Sequence, residues 1–206
     1  MMNGTFEQLR AAVYGQAVGD ALGVPYEFMP RDTFRCEGMT GYGTHNQPIG
    51  TWSDDTSMML ATLDSLIANE WQVNTESAIT HAHAISMEAC SSMVDVLRDG
   101  LIKGIWPQEL DDEPLRGMPR DEVGSSGFVK DTYEAALWCL ANTDDYASCV
   151  LAAVNLGDDT DTTAAVAGYL AGIKYGFDAI PAQWLAVLRG RELIEDVLGR
   201  TESAWH

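Results

Sequence analysis

Two glycine ladders constrain the fold of this chain more than any other feature of its sequence. The first consists of Gly15, Gly19 and Gly23, and the second of Ala164, Gly168, Gly172 and Gly176. Residues four apart lie on one face of an α-helix. A helix face without side chains lets another helix approach closely. We therefore predict that an early helix and a late helix pack together in one core.

The spacing of apolar residues predicts further helices, and no segment alternates convincingly between apolar and polar residues as a half-buried strand would. Helices are expected from a Thr5 capping box to about Gly23, from Ser53 through Ile67, and over about 77–103, 131–142, 145–154, 161–176 and 182–198. Irregular loops are expected over 24–52 and 104–128. The fold class is therefore all-α, and a length of 206 residues favours a single domain over 1–206.

The charge of the chain argues against several classes of partner. There are 31 acidic residues against 12 basic ones, which gives a net charge of -19. Such a chain repels phosphate backbones and anionic membranes. The four cysteines form no CxxC pair, and neither a signal peptide nor an apolar run of membrane-spanning length is recognisable. These features favour a cytoplasmic protein.

Two short motifs combine carboxylates and hydroxyls at the expected start of a helix: Ser53-Asp54-Asp55-Thr56 and Asp159-Thr160-Asp161-Thr162. Either motif alone is explained equally well by helix capping. A cap needs one side chain, however, and adjacent carboxylates repel each other unless a positive charge lies between them. Oxygen ligands without His or Cys suit Mg²⁺, Mn²⁺ or Ca²⁺ rather than Zn²⁺. Four acids could hold two such ions roughly 3.5–4 Å apart.

Five segments resemble the ADP-ribosylglycohydrolase family in sequence and in order. They are GQAVGDALGVPYEF at 15–28, GTWSDDTSMML at 50–60, THAHAISMEAC at 80–90, SSGFVKDTYEAALW at 125–138 and NLGDDTDTTAAVAGYLAGIKYG at 155–176. The resemblance implies a compact orthogonal helical fold and a hydrolase that cleaves ADP-ribose from a modified protein or small molecule. It also implies a cofactor of two Mg²⁺ or Mn²⁺ ions.

The resemblance further assigns roles to individual residues. The metal ligands would be Ser53, Asp54, Asp55, Asp159, Asp161 and Thr162. Asp161 would contact both ions. The ions would orient the ribose hydroxyls and activate a water for attack on the anomeric carbon. Either Glu27 or Asp55 would act as the general base.

A second set of residues is expected to bind the substrate. By resemblance, His81 lines the ADP-ribose pocket, although a capping or core histidine explains it equally well. Ser126, Gly127 and Phe128 match a segment that contacts the nucleotide in the family. Phe128 stands where the family often has Tyr, so stacking is retained and a hydroxyl is lost.

The chain departs from the family between Trp71 and Thr80, where relatives carry a long additional stretch. Its loss would leave a more open substrate site, or a second subunit would supply the missing wall, which makes a homodimer an expected partner. The sequence does not distinguish among arginine, serine, a nucleic-acid end and a free small molecule as the group that carries ADP-ribose.

Two other functions compete with this interpretation. Asp159, Asp161 and Thr163 match the nucleophile motif of haloacid-dehalogenase-like phosphatases, but that motif should follow a strand of a parallel sheet, and the required alternation of strands and helices is missing. The chain could also be a non-catalytic binder of ADP-ribose or metal that lost turnover together with the missing stretch. Retention of all the expected metal ligands favours the enzyme.

Overall fold

The computed structural model describes residues 6–68 and 113–204. Within these ranges the chain forms helices, short 3₁₀ turns and one isolated β-bridge between Tyr42 and Gln47, but no strand. In chain order the helices are α1 (Phe6–Gly23), α2 (Asp54–Ala68), α3 (Glu113–Arg116), α4 (Val129–Ala141), α5 (Tyr146–Val154), α6 (Thr160–Tyr175), α7 (Ala182–Val187) and α8 (Arg191–Ala204). The all-α prediction is confirmed for this part of the chain.

Some sequence-based expectations lie outside the described residues. They include the helix over 77–103, the shortened connection between Trp71 and Thr80, and the capping role of Thr5. The expectation of a single domain therefore stays a prediction. No helix among those described is both long and apolar enough to cross a membrane.

The core is built on direct contact between the backbones of α1 and α6. A Cβ added at Gly19 would lie 2.0 Å from the carbonyl oxygen of Ala164, and one added at Gly15 would lie 2.2 Å from that of Gly168. On the α6 side, a Cβ at Gly172 would lie 2.2 Å from the Ala11 carbonyl oxygen. The predicted packing of the two ladders is confirmed, because neither helix has room for a side chain at these positions.

Helix α1 is the centre of the described structure. All of its residues from Ala11 to Gly23 are buried. Helices α4 and α5 pack on α6, while α2 and α5 also contact α1. The hydroxyl of Tyr146, at the start of α5, donates a hydrogen bond of 2.7 Å to the Gly15 carbonyl oxygen. The buried hydroxyl of Tyr146 thus has its partner on the backbone of α1.

The predicted last helix over 182–198 is wrong in one respect, because the structure divides it into α7 and α8. Gly190 has a φ of 66°, and a Cβ there would lie 2.8 Å from the Trp52 ring. The Arg189 amide donates to the Gly50 carbonyl at 2.9 Å, and Trp52 Nε1 donates to the Arg189 carbonyl at 2.8 Å. Contacts with the loop before α2 therefore replace the helical hydrogen bonds.

The predicted irregular loop over 104–128 is also more structured than expected. Its described part, from residue 113 onward, contains α3 and a 3₁₀ turn at Arg120–Glu122. Leu115 and Val123 are buried in the core. These two apolar anchors bring the segment that precedes α4 close to the main body of helices.

Candidate active site

Asp20 joins the middle of the fold to the first acidic motif. Its side chain has no exposed surface, and its Oδ1 accepts a 2.8 Å hydrogen bond from the Ser53 amide. Its Oδ2 accepts from the Thr56 amide at 3.0 Å and from the Thr56 hydroxyl at 2.5 Å. Asp20 therefore caps α2 from another helix. Burial raises the pKa of this carboxyl to about 6.

Three carboxylates form what we name the inner group: Asp20, Asp55 and Asp161. One oxygen from each lies within 4.8 Å of the others. The hydroxyls of Ser53 and Thr162 lie 3.3 Å and 3.2 Å from Asp55 Oδ2, and both donate to it. Burial, followed by the charges of Asp20 and Asp54, raises the pKa of Asp55 to about 7. The two predicted motifs thus meet at Asp55.

A second set of carboxylates, which we name the outer group, consists of Glu27, Asp159 and Asp161. Their oxygens also lie within 4.8 Å of one another. Asp161 belongs to both groups. Burial and the nearby charges of Glu27, Asp55, Asp159 and Asp20 raise its pKa to about 8. Such crowding of carboxylates is unfavourable unless protons or cations neutralise it.

Backbone hydrogen bonds bring the loops of the outer group together. The Phe28 amide donates to the Asp158 carbonyl at 2.7 Å, and the Asp158 amide donates to the Met29 carbonyl at 2.9 Å. The Asp159 amide donates to the Ser125 carbonyl at 3.1 Å. A Cβ at Gly127 would lie 3.1 Å from Asp159 Oδ2, so the 125–128 segment closely approaches this carboxylate.

Glu27 is held at two points by residues of the loop before α2. The Thr44 hydroxyl donates to the Glu27 carbonyl at 2.8 Å, and the imidazole Nε2 of His45 contacts the carboxylate. An open cavity of about 330 Å³ lies beside this pair, and Asp54 and Trp52 are also on its wall. Glu27 therefore belongs to the outer group and also borders a space that could admit a ligand.

The structure brings together most of the residues expected to bind metal, but not all of them. Asp55, Asp159 and Asp161 lie in the two carboxylate groups, with the Ser53 and Thr162 hydroxyls on Asp55. Asp54 is exposed on the cavity wall and belongs to neither group. The ligand roles of these residues stay predictions.

The expected substrate residues have mixed placements. The Ser126 hydroxyl accepts from the Phe128 amide at 3.2 Å and donates to Asp131 at 2.6 Å, so it links the turn before α4 to the first turn of that helix. Phe128 is 47% exposed, which leaves its ring accessible for stacking. His81 lies outside the described residues. The substrate-binding roles of all four residues stay predictions.

Neither Asp20 nor His45 was predicted as a site residue from the sequence. The signal for Asp20 was present, because it is the one acid between Gly15 and Gly23 in an apolar helix. An acid in such a place needs a buried partner. His45 stands in a polar loop and carries no comparable signal.

The chemistry of the donors fits a hard divalent cation. Both groups offer carboxylate oxygens only, with hydroxyls close by. Mg²⁺ and Mn²⁺ prefer such oxygen ligands, whereas Zn²⁺ sites are typically built with His or Cys. Asp161 belongs to both groups, so the two groups share one carboxylate.

Comparison with known proteins points to one family. The family model described as ADP-ribosylglycohydrolase matches residues 1–99 and 72–205. The ADP-ribosylarginine hydrolase Tri1 of Serratia proteamaculans is 27% identical, and the alignment covers 94% of this chain and 78% of that protein. The ADP-ribosyl-[dinitrogen reductase] glycohydrolase of Rhodospirillum rubrum is 36% identical over 63% of this chain and 46% of its own length.

A solved structure titled "ADP-ribosylglycohydrolase-related protein complex" has a similar fold. Its TM-score is 0.75 at 26% identity, and the match covers 97% of this chain and 98% of that one. The alignment with the Serratia protein, by contrast, extends over 287 positions against the 206 residues of this chain. A large part of that alignment therefore has no counterpart here.

Proposed function

Because this chain belongs to the ADP-ribosylglycohydrolase family, we propose that it hydrolyses the glycosidic bond between ADP-ribose and an arginine side chain of a modified protein. We further propose that two Mg²⁺ or Mn²⁺ ions bind at the inner and outer groups. Family membership confirms both the resemblance seen in the sequence motifs and the class of enzyme, an ADP-ribosyl glycohydrolase. The observation that carries the rest of the proposal is the place of Asp161 in both carboxylate groups.

The inner and outer groups would each hold one cation. Asp55 and Asp161 would bind the inner ion, with Ser53 and Thr162 close enough to add their hydroxyls. Asp159 and Asp161 would bind the outer ion, together with Glu27. When bound, the cations would supply positive charge that orients the ribose hydroxyls and makes a nearby water more acidic.

Glu27 is the better of the two expected general bases. Asp55 accepts hydrogen bonds from two hydroxyls within the inner group, whereas Glu27 lines the open cavity. Its carboxylate would take a proton from the attacking water while the water oxygen bonds to the anomeric carbon. The bond from that carbon to the arginine nitrogen breaks through an oxocarbenium-like state, and the departing guanidine takes up a proton.

Arginine is the acceptor group that the relatives and the cavity favour. The Serratia protein is named an ADP-ribosylarginine hydrolase, and it aligns with 94% of this chain. The cavity wall carries the carboxylates of Glu27 and Asp54. Negative charge on this wall attracts a guanidinium and repels a nucleic-acid end.

Turnover assays on ADP-ribosylated arginine, serine and nucleic-acid substrates would test the proposal. We expect release of ADP-ribose from the arginine substrate only. Glu27→Gln should lower kcat by roughly 10²–10⁴-fold, the usual contribution of a general base. Cation affinity measured by calorimetry should fall much less, because Asp159 and Asp161 remain as carboxylate ligands of the outer group.

Glu37→Gln is the matched control, since Glu37 is an exposed loop acid paired with Arg35. Equal kcat in the Glu27→Gln and wild-type proteins would remove Glu27 from the mechanism. If the wild-type protein binds ADP-ribose but releases it from none of the substrates, the chain is the non-catalytic binder instead.

The location and assembly of the protein are part of the proposal. Cys36, Cys139 and Cys149 are free and buried, which suits the reducing cytoplasm. A homodimer in which a second subunit completes the substrate wall would compensate for the shortened sequence. Light scattering on the purified protein would measure its mass, and a strict monomer with full activity would exclude the dimer as a requirement.

A further inference from the structure

The guanidinium of Arg31 joins two separate parts of the chain beside the active site. Its Nε donates to the Leu156 carbonyl at 2.7 Å. Its Nη1 donates to the Arg120 carbonyl at 2.8 Å, and its Nη2 donates to the Val123 carbonyl at 2.6 Å and to the Ser125 hydroxyl at 3.1 Å. One side chain therefore tethers segment 120–125 to the turn that leads into the second acidic motif.

Segment 120–125 is held by several contacts with other parts of the chain, of which Arg31 makes the largest share. Val123 is buried in the core, and Arg120 donates to Asp32 at 2.8 Å and to the Asn155 carbonyl at 2.5 Å. The backbone bonds of the segment include two short turns, from the Glu122 amide to the Pro119 carbonyl at 2.9 Å and from the Val123 amide to the Arg120 carbonyl at 3.2 Å. The segment continues directly into Ser126, Gly127 and Phe128. Any shift in its position would move these three residues as well.

The carboxylate groups have supports that do not depend on Arg31. Asp20 holds the start of α2, and the backbone bonds between Phe28, Met29 and Asp158 hold the loops of Glu27 and Asp159 together. Loss of the Arg31 tether should therefore move the 126–128 segment more than the cation ligands. The Asp159 amide donates to the Ser125 carbonyl, but its loop is also held by the backbone bonds of Asp158 to Phe28 and Met29.

We propose that Arg31 is a positioning residue for ADP-ribose binding. It holds segment 120–125 so that Ser126, Gly127 and Phe128 stand beside the outer group. The proposal rests on the proposed function, because ADP-ribose is the ligand that this segment would contact. Arg31 itself acts through the segment, since four hydrogen bonds commit its guanidinium to the protein.

Arg31→Lys is the most informative substitution. Lysine keeps the positive charge but presents it at one point, whereas the planar guanidinium spans partners that lie in different directions. The variant thus separates the geometry of the tether from its charge. Arg200→Lys is the matched control, because Arg200 is an exposed arginine that pairs with Asp64 and Asp196 on the surface.

Four measurements on the whole chain test the proposal: ADP-ribose binding, steady-state kinetics, Mn²⁺ binding and hydrogen exchange. In Arg31→Lys we expect the Kd for ADP-ribose and the KM to rise about tenfold, the factor carried by the loss of one hydrogen bond to a charged group. The Kd for Mn²⁺ alone and kcat should stay within about threefold. Hydrogen exchange of peptides over 118–128 should be faster than in the wild type and in Arg200→Lys.

Two results would overturn the inference. The first is unchanged exchange over 118–128 together with an unchanged Kd for ADP-ribose. The second is a lower melting temperature with unchanged KM, which would make Arg31 a structural residue only. If the wild-type protein binds no ADP-ribose, the proposed function fails, whereas the exchange comparison still decides whether Arg31 holds the segment.

Discussion

Asp161 is the residue on which the acidic site depends most. It stands in the first turn of α6, is 3% exposed, and contributes to both the inner and the outer group. Each of the other four acids belongs to one group. A substitution at Asp161 should therefore affect both cations, whereas a substitution elsewhere should affect mainly one.

This difference can be measured by calorimetric titration with Mn²⁺. We expect the wild-type protein to bind two ions, Asp55→Asn to lose mainly the inner one, and Asp161→Asn to lose measurable binding of both. The affinity loss at Asp161 should exceed the roughly 10–100-fold that loss of a residue supporting a metal ligand typically causes, because a carboxylate shared by two ions is removed from both. Asp178→Asn, at an exposed acid, is the control. Two-ion binding by Asp161→Asn would contradict the shared role.

The sequence predicted individual site residues unevenly, for physical reasons. Asp55, Asp159 and Asp161 were recognisable because their neighbours form motifs at helix starts. Asp20 was not recognisable, because it lies in α1 and its partner Ser53, at the start of α2, is 33 residues later in the sequence. Asp54 was expected as a ligand beside Asp55, and that role stays a prediction. Adjacent residues in a helical turn point in different directions, so Asp54 is exposed while Asp55 lies in the inner group.

Among the helices, the contact between α1 and α6 has the least tolerance for change. A Cβ at Gly19 would meet the carbonyl oxygen, the carbonyl carbon and the next amide nitrogen of α6, all within 3.2 Å. These are backbone atoms, which cannot turn aside as a side chain can. The helices would have to separate, and the buried surface around them would lose packing.

Gly19→Ala should therefore lower the free energy of unfolding by about 3 kcal/mol or more, at or above the upper end of typical overpacking costs. Gly199→Ala is the matched control, since Gly199 lies in α8 and nothing is within 4 Å of an added Cβ. It should raise stability by roughly 0.5–1 kcal/mol through helix propensity. Urea denaturation of both variants would measure the difference, and equal stabilities would refute the close contact.

Helix positions were more predictable than helix breaks. Apolar periodicity and acidic starts placed α1, α2, α4, α5 and α6 within a few residues of their observed bounds. The break between α7 and α8 was missed because it depends on Trp52 and Gly50, which lie far away in sequence. Periodicity describes one helix at a time and carries no information about such contacts.

At the scale of the whole molecule, the acidic site opposes the stability of the cation-free protein. The pKa of Asp55 is raised to about 7 and that of Asp161 to about 8, against an ordinary value of 3.8. Between pH 3.8 and about pH 8, the native state therefore binds more protons than the unfolded state. Their contribution to stability is present at low pH and is lost as pH rises through about 8.

Thermal melts would show this dependence. With EDTA, we expect the melting temperature to fall between about pH 5.5 and pH 8, because the carboxyls of Asp20, Asp55 and Asp161 lose their protons while still buried. Excess Mg²⁺ should raise the midpoint, and more so at the higher pH, because the cation binds the charged form. Asp161→Asn should flatten the pH dependence measured in EDTA. Identical midpoints with EDTA and Mg²⁺ would exclude cation binding to the native state.

The contact between α1 and α6 also limits which parts of the molecule can move. Sliding one helix along the other by a single residue, about 1.5 Å, would drive backbone onto backbone, so these helices have no low-energy route for sliding. Surface loops typically move in nanoseconds to microseconds. We therefore expect motion near the acidic site to occur in the loops around it rather than in α1 and α6. Asp20 and Asp161, which stand on these two helices, would keep their positions during such motion.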